Sequence, residues 1–113
     1  MQAKGPFKLQ SHNLNLLRNV LNEVLHGIAL RDVAGMIGMS ANELAEFLKR
    51  VQDVSEGTQI ELSLSQTIAF RNALQETLRE LGIEEFRTRT GYSFEEGNQI
   101  LERLRKATIA TGT

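Results

Sequence analysis

The sequence predicts an all-α fold made by internal tandem duplication with pseudo-two-fold symmetry, each copy a short strand, a long helix and a helical hairpin. Three observations predict it. Residues 7–53 recur without a gap as residues 60–106 under a shift of 53, with eleven identical positions, among them Arg18 and Arg71, Asn19 and Asn72, Leu21 and Leu74, and Glu23 and Glu76. Apolar residues return every three or four positions in both copies, the period of a helix with one buried face. Each copy also carries a glycine, one further residue and then Ser-x-x-Glu, at Gly38 to Glu43 and at Gly91 to Glu96, which ends one helix and starts another.

The elements follow in order. Phe7-Lys8-Leu9 and Ile60-Glu61-Leu62 have apolar outer residues and a charged middle one, so both are expected to be short strands. The opposite charges of Lys8 and Glu61 suit pairing with each other. Leu14, Leu17, Val20, Leu21, Val24, Leu25 and Ile28 then form a broad helical stripe, answered in copy two by Phe70, Ala73, Leu74, Leu78 and Leu81. Ser63 and Gln66 form a capping box that starts the second of these helices.

Turns are expected at Gly27 to Arg31 and at Gly82 to Glu84, each followed by a brief helix ending near Gly38 or Gly91. A third helix begins at the boxes Ser40/Glu43 and Ser93/Glu96. Its apolar face is Leu44, Phe47, Leu48 and Val51 in copy one and Ile100, Leu101 and Leu104 in copy two. Ala41 becomes Phe94 while Leu44, one turn on, becomes Gly97, a shift of bulk along one face that close packing requires. The linker is 54–59, and residues 1–5 and 108–113 read as loose tails.

A 113-residue chain with 41% hydrophobic residues and one proline is expected to form one soluble domain over 1–113. The lack of cysteine removes disulfides and thiolate chemistry, and no stretch reads as a signal or a membrane span, so the expected location is cytoplasmic. The net charge of −1 offers no field that would gather a polyanion. His12 and His26 sit at no metal-ligand spacing, and Glu84-Glu85 and Glu95-Glu96 are adjacent pairs that diverge around a helix. No enzyme activity, metal or cofactor is expected.

Residues 30–49, LRDVAGMIGMSANELAEFLK, carry a small residue at Ala34, a turn at Gly38 and apolar contacts at Val33, Ile37, Met39, Leu44 and Phe47. This segment resembles the helix-turn-helix pattern of DNA-binding proteins. The resemblance implies a second helix facing DNA through Ser40, Ala41, Asn42, Ala45, Glu46 and Lys49, with Ser40, Asn42 and Lys49 the main candidates. Glu43 and Glu46 oppose phosphate contact, and copy two departs from the pattern at Arg87, Thr90 and Gly97.

Two further groups stand out. Arg87, Arg89 and Thr90, just ahead of a helix N-terminus, are candidates for holding a carboxylate or phosphate. Arg18, Glu23, Arg71 and Glu76 are the candidate inter-repeat structural residues, with Arg18 expected to meet Glu76 and Arg71 to meet Glu23 across the two-fold. The expected function is a small non-enzymatic helical module that binds a protein partner, its own homodimer included, with Met36, Met39, Tyr92 and Phe94 as candidate contacts. The alternative is a helix-turn-helix transcriptional regulator acting through residues 40–49.

Overall fold

Two three-residue strands set the starts of the two long helices side by side. The computed structural model describes residues 7–55 and 57–112. β1 (Phe7–Leu9) pairs antiparallel with β2 (Ile60–Leu62), matching Phe7 to Leu62, Lys8 to Glu61 and Leu9 to Ile60. Leu9 and Leu62 point into the core, and the charged middle residues point out. The alternation read from three residues therefore gives the right faces.

α1 (Ser11–Asn22) follows β1 and ends in a wider π-helical turn over Glu23–Gly27. There the Ile28 N–H donates to the Glu23 carbonyl at 2.7 Å, five residues back, and Ile28 itself is extended. α2 (Val33–Ile37) starts at Asp32, whose side chain accepts from the Gly35 N–H at 3.0 Å, and stops at Gly38 with φ 98°. α3 (Ala41–Gln52) opens with the full Ser40/Glu43 capping box.

α4 (Leu64–Thr90) opens with the Ser63/Gln66 box and closes at Gly91, φ 81°. Within it Gly82 alone leaves helical geometry, at φ 75° and ψ −174°, so the expected turn is a one-residue break. α5 (Phe94–Gly112) follows the Ser93/Glu96 box. It corrects the expectation of a loose tail over 108–113: the helix runs to Gly112, and Thr108 is buried with its hydroxyl donating to the Leu104 carbonyl. The other expected tail, 1–5, lies outside the described residues.

The chain is mostly helical, and one hydrophobic cluster runs through it. α1 packs on α3 and α4, α4 on α5, and α2 on α4. Leu16, Leu17, Val20 and Leu21 of α1, Ile37 of α2, Leu44 of α3, Phe70, Leu74 and Phe86 of α4 and Leu104 of α5 are fully shielded from solvent. Phe86 meets Phe94 edge-on at 6.2 Å and 86°. A Cβ on Gly97 would come within 2.8 Å of the Phe86 ring and 3.0 Å of Leu78, so the glycine is what lets Phe86 in. Among the described residues no helix is long and apolar enough to cross a membrane.

Candidate functional site

Asn19 sits on α1 and Asn72 on α4, both half-buried where the two helices face neighbouring elements. The Asn19 side-chain amide donates to the Thr90 carbonyl at 2.9 Å, and that of Asn72 donates to the Ile37 carbonyl at 2.9 Å. Thr90 and Ile37 are each the last helical residue before a left-handed glycine. Both amides therefore satisfy a carbonyl that a helix end leaves without an intrahelical partner. Both asparagines recur at the same place in the sequence, beside the charged residues from which the cross-links are expected.

That assignment is corrected. Arg18 does not pair with Glu76: its guanidinium donates to the Val51 carbonyl at 3.2 and 3.0 Å, to the Val54 carbonyl at 2.9 Å and to Asn15 at 3.0 Å, closing the end of α3. Arg71 does not pair with Glu23 and instead donates to the Thr108 hydroxyl at 2.9 Å and to Asn72 at 3.1 Å. Glu23 is met by Arg89 at 2.8 Å, and Glu76 by Arg79, a near neighbour on its own helix. Arginine reaches carbonyls at helix ends because its planar fork spans two acceptors at once, a preference that residue spacing alone does not reveal.

The Glu23 carboxylate lies in the bend of the π-helical turn, where a Cβ on Gly27 would fall 2.1 Å from its Oε1. The hydrogen bond and charge of Glu23 push the Arg89 guanidinium above its ordinary pKa, with Glu85 adding to the effect from 3.3 Å. Arg89 is thus already neutralised by two carboxylates. Thr90 is buried, its hydroxyl donating to the Phe86 carbonyl at 2.7 Å, and Arg87 is exposed. Of the three residues expected to hold an anion, Arg89 is bound to two carboxylates and Thr90 to a backbone carbonyl, while Arg87 is exposed.

The α2–Gly38–α3 unit is formed, and Asn42 and Lys49 are exposed on α3 beside Ala41, Ala45, Glu46 and Arg50. Ser40 is half-buried, and its hydroxyl is spent on the Glu43 N–H at 3.1 Å. Ala34, expected at a close helix crossing, is exposed. Gly38 instead approaches α4, 3.9 Å in Cβ distance from Asn72 and Ile68. The glycine turn therefore docks against α4.

Met36, Met39, Tyr92 and Phe94 are half-buried, the last three packed on the core. Tyr92 donates its hydroxyl to the His12 carbonyl in the first turn of α1, and burial pushes its pKa above 10. Among the described residues the large apolar side chains that do face solvent are Ile83, 70% exposed beside the Gly82 break, and Leu64, 48% exposed. Their exposure depends on that break and on the start of α4, neither of which hydropathy reports. A surface groove of about 460 Å³ is lined by Ser11, His12, Leu14, Asn15, Arg18 and Gly57, with Arg18 held by carbonyls. Among the described residues no group of three or more His, Cys, Asp or Glu could hold a metal ion.

No family model matches the chain, and no curated protein or solved structure matches it either.

Proposed function

We propose that the chain is one interaction module present twice, its copies bound to each other about a pseudo-two-fold axis, and that it acts as a non-enzymatic binder of protein. The single observation that carries this reading is the reciprocity of the contacts between residues 7–53 and 60–106. Asn19 of the first half holds Thr90 of the second, and Asn72 of the second holds Ile37 of the first. Asn72 is Asn19 shifted by 53, and Thr90 is Ile37 shifted by the same number. The strand register obeys the same rule, since Phe7 meets Leu62 while Leu9 meets Ile60 about a centre at Lys8 and Glu61. Contacts in which i meets j and j meets i are the mark of an isologous interface, the kind made by two identical proteins.

On this reading Asn19, Asn72 and Glu23 are consumed in joining the halves, and the outer surface is left for other partners. Ile83 is the anchor best placed for one, because a large apolar residue this exposed gains most from being covered. Affinity capture on the immobilised chain, with cross-links mapped to residues, tests the reading. Ile83→Asp is expected to abolish capture while leaving the melting curve unchanged; capture that persists, or catalytic turnover of a bound small molecule, overturns it.

A DNA-binding reading is favoured by one feature, the outward presentation of Asn42, Lys49 and Arg50 on α3. It predicts retardation of duplex DNA that weakens steeply with salt and is lost in Lys49→Glu.

A further inference from the structure

The surface that joins the two halves has a property that extends beyond one chain. Each half covers the other's apolar face: α1 lies on α4, and α2 lies on α4 beside Asn72. Contacts of this kind are indifferent to whether the two halves share a backbone. The connection between them is polar, with Asp53, Ser55, Gly57, Thr58 and Gln59 all exposed, and a Cβ on Gly57 would meet nothing within 4 Å. Among its described residues Val54 packs on the core and its carbonyl accepts from Arg18 of the first half, whereas the stretch that follows, with Ser55, Gly57, Thr58 and Gln59, stands exposed.

We propose that a second copy of this chain is a partner of each half, copy one of one chain taking copy two of another across the same isologous surface. The proposal rests on the paired-module reading above and deepens it by naming the partner. The exchanged and closed forms make the same contacts and differ in the path of the connection, so chain concentration decides between them.

The experiment uses two full-length variants. Leu74→Asp buries a carboxylate in copy two and leaves copy one intact, and Leu21→Asp does the reverse at the equivalent position; both leucines are fully buried. Each variant alone is expected to lack a cooperative melt. Refolded together from urea at equal concentration, they are expected to recover helical circular dichroism, a cooperative transition and, by light scattering, a one-to-one complex of two 12.7 kDa chains. Should either variant fold alone, Leu17→Asp and Phe70→Asp, equivalent and equally buried, take their place.

Position-specific arms make the result specific. Asn19→Ala added to the Leu74→Asp chain is expected to weaken the complex about fivefold, whereas in the Leu21→Asp chain it changes nothing. A mixture that stays unfolded overturns the proposal, as does equal weakening in both arms. The paired-module reading fails separately, if wild-type protein shows no slowed exchange of the Asn19 and Asn72 side-chain amide protons.

Discussion

Asn19 and Asn72 give the most direct test at the level of single residues, because each side-chain amide donates to one carbonyl at a helix end, Asn72 accepting from Arg71 in addition. Replacing either by alanine removes that bond and leaves the carbonyl half-buried, an expected loss of about 1 kcal/mol. The Asn72 loss is expected to exceed the Asn19 loss by no more than about 1 kcal/mol, because it also removes the bond from Arg71, and a larger difference in urea denaturation counts against equivalent roles. Tyr92 gives a pH signature. Its pKa in the fold lies above 10, so the neutral phenol is favoured there relative to the unfolded chain. The stability it contributes is full below pH 10 and is lost as pH rises through the folded value. Urea midpoints between pH 9 and 11 are expected to fall for the native protein and to fall less for Tyr92→Phe; equal slopes refute the assignment.

Among the elements, α5 offers a case where a helix propensity rule reverses. Glycine to alanine inside a helix normally stabilises by up to about 1 kcal/mol. At Gly97 the new methyl would press on Phe86 at 2.8 Å and Leu78 at 3.0 Å, so Gly97→Ala is expected to destabilise by about 1–3 kcal/mol. Residues 7–53 have Val33, Ala41 and Leu44 where residues 60–106, read 53 positions on, have Phe86, Phe94 and Gly97. The triple change Phe86→Val, Phe94→Ala, Gly97→Leu is therefore expected to recover most of the stability that Gly97→Leu alone loses, measured by thermal melting. The exchange of bulk between Ala41/Leu44 and Phe94/Gly97 was legible in the sequence because steric volume is written in residue type. The capping boxes and left-handed glycines were legible for the same reason, since hydroxyl reach and positive φ belong to particular side chains. The partners of Arg18, Arg71 and Glu23 were not, because a long flexible side chain chooses among acceptors by tertiary position. The π-helical turn at Glu23–Gly27 escaped as well, since the carboxylate that lies in it, Glu23, meets a partner, Arg89, 66 residues away.

For the molecule as a whole, the shared interior sets the unfolding behaviour. The Cα radius of gyration of 13.2 Å matches the roughly 13 Å of one compact domain of about 100 residues, and the buried cluster draws on both halves without interruption. Neither half holds its apolar face covered by itself: α1, whose Leu17, Val20 and Leu21 are fully buried, packs on α4 as well as α3, and α2, with Ile37, packs on α4 too. Loss of one half therefore exposes the other, and unfolding is expected to be a single transition with equal calorimetric and van't Hoff enthalpies. Leu21→Ala and Leu74→Ala, at equivalent buried positions, each remove a core side chain at a cost of about 2–5 kcal/mol. Each is expected to lower the one transition without splitting it. If instead Leu21→Ala lowered the stability of residues 7–53 while amide exchange in α4 and α5 kept its native protection, the halves would be separate folding units. The reciprocal asparagine contacts would then join two finished bodies, where a common core requires them to complete two unfinished ones.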